Sequence, residues 1–380
     1  MELFKKVKTA VVGCGVISDI YLQNMKTNFE ILELAGCCDV IPERMEARAK
    51  KYGIKPMTME AILSDKSIEL VVNLTTPASH HQVTKQALEA GKNVYSEKPM
   101  DLSIDAAREL VQLADERGVL YGSAPDTFMG SAVQTARFAL DSGLIGEISS
   151  CYAALNRDSL LLAERFPFTA LPGGGIGLDV GVYYLTALLS ILGPVTEVAG
   201  FVKTLHPRRR HVLMSRPDFG ESFTLEAENL VAGSFLLADG ALGTIHFNSN
   251  CIQNEKPQMV LYGSEGILYM PDPNRFGGEV TVLLKGQSEP FTLPPTHAYA
   301  EDCRGIGPAE LAWSLRKGRK PRTSKEMAFH VLELLLGLYQ SCETKTFYTM
   351  TSTFERPAAI PRGHLGNNYG GMEAEAGLAL

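Results

Sequence analysis

The turn Gly13-Cys14-Gly15-Val16-Ile17-Ser18 constrains this chain more than any other feature. The apolar run Val7–Val12 before it reads as a strand, and the residues after it read as a helix. Gly13 permits a tight turn, and Gly15 lets the backbone approach a pyrophosphate, whose charge then rests on the N-terminus of the next helix. Ser18 stands where a third glycine or alanine is usual, and it is small enough for close helix–strand packing. A second strand is expected over 32–38, and Asp39 ends it 26 residues after Gly13. A carboxylate there accepts both hydroxyls of an adenosine ribose and repels a 2′-phosphate, which points to NAD. Arg44, in the following helix, is the residue placed to weaken that preference.

Up to residue 124 the chain alternates short apolar runs with helical patterns. Strands are expected at 7–12, 32–38, 69–74, 93–96 and 119–122, and helices near 18–26, 43–52, 59–64, 79–90 and 104–117. Such alternation implies parallel strands joined by right-handed crossovers. From about 125 the pattern changes: helices at 131–142, 178–192 and 324–342 frame stretches of alternating hydrophobicity between 148 and 284. The fold class is therefore α/β. A Rossmann dinucleotide-binding domain over 1–124 precedes an α+β domain over 125–352, which carries a large, mostly antiparallel open sheet. Residues 353–380, with Pro357, Pro361 and several glycines, read as an arm or a disordered tail.

At 380 residues the chain suits two domains rather than one core. Its net charge of −7 leaves no overall basic field, which argues against nucleic acid as the main partner. Arg208-Arg209-Arg210, the one dense basic cluster, reads as a solvated loop. The seven cysteines form no Cys-x-x-Cys pair and the eight histidines lack metal spacing, so no metal site is expected. Lys5, Lys6 and Lys8 precede an apolar run that glycines interrupt, and the run is better used as a strand than as a leader. No stretch is long enough to span a bilayer, and a cytoplasmic protein is expected.

Two places carry chemistry. Gly173-Gly174-Gly175 leads into the helix expected at 178–192, where Asp179, Tyr183, Thr186 and Ser190 are spaced by four, three and four on an otherwise apolar background. A structural hydrogen-bond network suffices for Thr186 and Ser190. Asp179 and Tyr183, beside glycines that allow close approach, read as a substrate site. Lys98, between Glu97 and Pro99, lies just past the strand at 93–96, on the edge where open α/β sheets bind ligands. Partial desolvation near an oxidised nicotinamide would depress its pKa and let it exchange a proton with a reacting hydroxyl.

These pieces resemble the glucose–fructose oxidoreductase and inositol dehydrogenase family (Gfo/Idh/MocA). Besides Gly13-x-Gly15-x-x-Ser18 and Asp39, the matching motifs are Thr76-Pro77 with His81, Ala90-Gly91-Lys92, and Glu97-Lys98-Pro99. Further along come Gly143-x-Ile145-Gly146, the triple glycine with Asp179 and Tyr183, and Tyr262-Gly263-x-Glu265-Gly266. The resemblance implies that Lys98, Asp179 and Tyr183 form the catalytic group. Tyr183 stands where many relatives have His, as in the branch that includes glucose–fructose oxidoreductase and dihydrodiol dehydrogenase. The cofactor set so implied is Gly13, Gly15, Val16, Ile17, Ser18, Asp39, Arg44, Thr75, Thr76, Pro77, His81, Glu97 and Lys98, with His81 capping or packing. Expected substrate contacts are Lys98, Asp126, Asn156, Arg157, Asp179 and Tyr183.

The implied activity is NAD-dependent hydride exchange with a secondary hydroxyl or ketone of a sugar, cyclitol or glycoside, in a homodimer or homotetramer. Two alternatives stay open. One is an NAD-recycling enzyme that cleaves glycosides by oxidation, elimination, hydration and reduction. The other is a non-catalytic regulator responsive to sugar and NAD.

Overall fold

Six parallel strands form the first sheet of the computed structural model, which describes residues 5–361. They are β1 (Val7–Val12), β2 (Leu32–Cys38), β3 (Lys55–Pro56), β4 (Leu70–Asn73), β5 (Asn93–Ser96) and β6 (Tyr121–Ser123), in the order β3-β2-β1-β4-β5-β6. That order reverses direction between β1 and β4, which opens a crevice at the strands' carboxyl ends. Helices α1 (Ser18–Thr27), α2 (Pro42–Tyr52), α3 (Met59–Ser64), α4 (Pro77–Glu89) and α5 (Ile104–Arg117) make the crossovers. Their starts are set locally. Proline opens α2 and α4, and the Thr58 and Ser103 hydroxyls cap α3 and α5. β4 is buried throughout, as a strand covered on both faces requires.

The second sheet has nine strands in the order β16-β15-β14-β13-β7-β12-β11-β8-β17. Its members are β7 (Ile148–Asn156), β8 (Val195–Lys203), β11 (Leu230–Leu237), β12 (Leu242–Asn248), β13 (Gln258–Gly263), β14 (Gly266–Met270), β15 (Thr281–Leu284), β16 (Phe291–Thr292) and β17 (Tyr348–Thr349). Only the β7–β12 pair is parallel. A separate ribbon pairs β9 (Arg208–Arg210) with β10 (Ser222–Thr224). The three arginines are thus a strand and not the loop expected of them, because residues 205–225 fold back on themselves. The helices are α6 (Ser131–Asp141), α7 (Leu160–Arg165), α8 (Val182–Leu192), α9 (Ile306–Lys317) and α10 (Lys325–Thr344).

One sheet face is closed: Ile245 and Phe247 of β12 are at most 1 % exposed, and helix α8 is almost wholly buried behind them. The other face is open. Register places Phe201, Ser234, Thr244, Tyr152 and Tyr262 together on it. Helix α9, which the sequence reading did not anticipate, packs against β5 and β6 of the first sheet although it lies late in the chain. Phe354 and Ile360 are buried, so the described part of the C-terminal segment is an arm laid on the protein. Residues from 362 on, and with them the rest of the expected tail, lie outside the described residues. Among the described residues no helix is long and apolar enough to cross a membrane.

Candidate active site

The nucleotide loop is built by the end of β1. Gly13 has φ +100°, and a Cβ there would lie 2.6 Å from the Leu74 carbonyl, so only glycine turns here. Above Gly15 the space is open for 4 Å around. Asp39 stands at the loop's edge, its carboxylate accepting from the backbone N–H of Cys14 (2.6 Å) and of Ile41 (2.8 Å). Ser18 is buried and donates to the Gly15 carbonyl, which locks the first turn of α1 beneath the loop. Val16 and Ile17 are exposed at the loop's crest. Thr75 is anchored through its hydroxyl and N–H to Asn73, and Thr76 and Pro77 begin α4. This open cradle, with backbone N–H groups, a helix N-terminus and a fixed carboxylate, fits a dinucleotide. Gly13–Ser18, Asp39 and Thr75–Pro77 would hold it.

The arginine that reaches the loop is Arg48. It donates to Ser18 Oγ (3.0 Å), the Gly15 carbonyl (3.1 Å) and Asp19 (2.8 Å). Arg44 is exposed one turn earlier on α2. That i, i+4 relation was the available signal, since the two residues share a helix face. His81 Nδ1 lies 2.7 Å from Asp101 Oδ2.

At the carboxyl end of β5, Lys98 Nζ donates to the Asp179 backbone carbonyl (2.7 Å) and to Asp179 Oδ1 (2.9 Å). It lies 5.3 Å from the centre of the Tyr183 ring. Arg157 Nη2 approaches the second Asp179 oxygen at 3.4 Å. All of these groups are largely withdrawn from solvent, so their charges act on one another strongly. Burial pulls Lys98 toward neutrality, yet the Asp179 carboxylate, with Tyr183 and Glu97, outweighs it and holds the ammonium above the usual lysine value. The reading from sequence weighed desolvation and an oxidised nicotinamide on Lys98; the protein adds a counter-ion, Asp179, that it did not include. Burial penalises the Asp179 carboxylate too, but Lys98 and Arg157 bring its pKa below the ordinary range. Burial raises the Tyr183 phenol, and the pull of Lys98 and Arg304 in the opposite direction does not offset it. The resting state is thus an ammonium, a carboxylate and a neutral phenol.

Several expected contacts have other employment. Glu97, predicted to touch cofactor, is buried, accepting from Tyr21 Oη (2.7 Å) and the Lys98 N–H (3.0 Å). Asp126, predicted to touch substrate, is 1 % exposed and accepts from the Gly305 and Gly307 N–H groups at 3.0 Å. It ties the start of α9 to the segment just past β6. Burial lifts its pKa to about 6 against those hydrogen bonds and Arg304. Asn156 donates to Glu255. Of the substrate-side residues named only by resemblance, Arg157 alone reaches the Lys98–Asp179–Tyr183 cluster.

The helix of the polar stripe starts irregularly, with a π-turn over Gly177–Gly181 before α8. The uniform 100° spacing therefore does not describe Asp179 and Tyr183. Thr186 and Ser190 are buried, and Ser190 bonds the Ala187 carbonyl. The triple glycine serves the protein's own packing: a Cβ on Gly174 would meet the Phe168 carbonyl at 2.1 Å, and one on Gly175 the Glu228 carboxylate at 2.0 Å. Sequence reasoning missed Arg304, which acts on the Tyr183 phenol, and Glu228, which accepts from the Gly177 N–H at the start of the π-turn; they lie 121 and 45 residues past Tyr183 with no local motif to mark them.

Comparison with known proteins agrees with the fold. Residues 7–124 match the oxidoreductase family with an NAD-binding Rossmann fold, and residues 133–269 match the GFO/IDH/MocA C-terminal domain. The chain belongs to the GFO/IDH/MocA oxidoreductase family. Its first domain is an NAD-binding Rossmann domain. The chain is 29 % identical over 208 residues to the oxidoreductase YhhX of Escherichia coli strain K12, a match that covers 55 % of this chain and 54 % of that protein. The chain thus spans about half the length of the first curated relatives it matches. Against D-glucoside 3-dehydrogenase of the same organism it is 24 % identical, over 90 % of this chain and 96 % of the relative. Levoglucosan dehydrogenase in complex with NADH and L-sorbose superposes with a TM-score of 0.78 at 17 % identity, covering 91 % of this chain and 99 % of that one.

Proposed function

We propose that this protein is an NAD-dependent oxidoreductase acting between a secondary hydroxyl and the corresponding ketone of a sugar, cyclitol or glycoside. The observation that carries the reading is the contact of Lys98 with Asp179 and Tyr183 at the carboxyl edge of β5, beside the nucleotide cradle. Relatives named as glucoside, levoglucosan and scyllo-inositol dehydrogenases support the substrate class.

Bound NAD would supply the hydride acceptor, and its reduced form the donor. The chain's own residues handle the proton. For ketone reduction, Tyr183 Oη–H protonates the developing alkoxide and Lys98 Nζ, charged beside it, stabilises the negative oxygen. For alcohol oxidation the same pair must first lose a proton, after which the phenolate oxygen accepts the hydroxyl proton. Asp179 orients Lys98 through two hydrogen bonds and keeps it charged.

Because both groups hold their protons above the ordinary values, the basic form needed for oxidation is scarce at neutral pH. Oxidation should therefore accelerate from pH ~7 to ~9, while reduction, which uses the protonated form, should be flat or fall. An oxidation rate that is flat or falls across that range would contradict the assignment.

The decisive experiment incubates the protein and NAD with sugars, cyclitols and glycosides, following NADH by absorbance and products by chromatography. NADH formed in step with a ketone product supports net oxidation. Aglycone release without NADH would instead favour the NAD-recycling glycoside cleavage. Tight nucleotide binding with no turnover of any polyol would favour a regulator.

A further inference from the structure

A cavity of about 350 Å³ opens beside Arg157, the guanidinium that also touches Asp179. Lys98, Asp179 and Tyr183 do not line it. A substrate ring reacting against those three groups therefore leaves this space to whatever the ring is attached to. The volume falls within the ~300–1,000 Å³ that accommodate ligands larger than a single small ring.

The walls come from three separated parts of the chain: the segment 157–176, the β9–β10 ribbon with the residues that follow it to Asn229, and Ser249–Ile252 just past β12. Arg209 is the middle residue of β9. It is half-buried while Arg208 and Arg210 are exposed, and it is fixed at the wall by donating to Asn250 Oδ1. On the neighbouring strand of the same ribbon, Phe223 of β10 is register-paired with Arg209 and is held flat by His211, whose ring stacks on it at 4.6 Å and 21°. Arg157 and Arg209 are matched by Asp158 and Glu228, so the lining is close to neutral in sum. Such a lining favours an uncharged ligand whose hydroxyls take charged partners and whose apolar face lies against Phe223, Leu225 and Ile252.

Resting on the oxidoreductase reading above, we propose that this cavity is a second subsite. It binds the portion of a glycoside beyond the ring that reacts, and Arg209 determines its specificity. The substrate class narrows accordingly to glycosides, either a disaccharide or a sugar bearing an aglycone, rather than a free cyclitol or monosaccharide.

The test is calorimetric titration of the NADH-saturated protein with methyl, cellobiose-type disaccharide and 4-nitrophenyl glycosides, in gluco- and galacto-configured series. The wild type should bind a disaccharide or the aryl glycoside about tenfold or more tightly than the methyl glycoside of the same ring. In Arg209→Ala that advantage should collapse to below about threefold, and Leu225→Trp, which fills the cavity, should do the same. Melting temperature and NADH affinity of both variants verify that the fold is kept. The proposal is overturned if no longer glycoside outbinds its methyl counterpart, or if the advantage survives in both variants. NAD reduction measured on the same panel separates the two readings. Arg209-dependent binding without reduction removes the oxidoreductase and leaves the subsite. Reduction with equal preference for the methyl glycoside removes the subsite and leaves the oxidoreductase.

Discussion

Tyr183 is where charge, burial and chemistry meet. Its phenol lies near two cations, Lys98 and Arg304, yet burial still raises its pKa. Tyr183→Phe removes the proton donor and little volume. It should lower kcat by ~10²–10⁴-fold and leave NADH affinity, measured by fluorescence titration, within about twofold. Retention of more than about half of wild-type kcat would return the residue to a packing role. Lys98→Ala should be at least as harmful, since it also leaves the buried Asp179 carboxylate with Arg157 alone. We propose that Asp39 sets the nucleotide preference. Its two oxygens hold the loop through Cys14 and Ile41, and in a dinucleotide-binding fold a carboxylate at this place favours a free ribose 2′-hydroxyl over a 2′-phosphate. NAD should therefore show the higher kcat/KM, and Asp39→Ala should narrow the gap to NADP. Equal or better kcat/KM with NADP in the wild type would sink this.

Among the elements, α9 carries an unexpected structural load. Glu310 on this helix is fully buried and binds Arg319 and Arg322 with both oxygens, together with the Arg322 N–H. Burial disfavours its carboxylate, but the two arginines hold its pKa below the usual value. Through this node the turn after α9 is fastened before α10 begins. Glu310→Gln keeps the shape and removes the buried charge that both arginines share. It should destabilise the protein by about 3–5 kcal/mol in urea unfolding, the usual cost of breaking a buried ion pair. A loss below about 1 kcal/mol would show the pair to be dispensable. Nothing in Gly307-Pro308-Ala309-Glu310 advertised a helix, because glycine and proline suppress local propensity. Packing against Tyr95 and the N-terminal tie to Asp126 decide it.

For the whole molecule, the open face of the nine-stranded sheet calls for an occupant. Phe201 is 72 % and Leu242 57 % exposed there, flanked by Tyr262 and Thr244. We propose that a second copy of the chain covers this face, in a homodimer or homotetramer. Light scattering at micromolar concentration should give at least twice the chain mass, and Phe201→Glu together with Leu242→Lys should shift it toward monomer. A wild-type mass of one chain would refute the proposal. Exposed aromatic and aliphatic side chains grouped on one face are the kind of surface that association removes from water.

Sequence alone determined the first domain almost element by element. Strand and helix periods there are local, and the Gly13 turn, Asp39 and the caps act within a few residues of themselves. It also singled out Lys98, Asp179 and Tyr183, because polar residues on an apolar background or beside a glycine turn stand out from their neighbours. The irregular parts were settled by tertiary structure. The π-turn before α8, the β9–β10 ribbon, helix α9 and the buried duties of Glu97 and Asp126 all depend on partners up to about 180 residues away. The same is true of charge. Sequence reasoning weighed burial and an oxidised nicotinamide on Lys98, and the fold set the Asp179 carboxylate against it, a counter-charge that no local pattern announces. Burial and charge pairing depend on distances between residues far apart in the chain, and only folding brings those residues together.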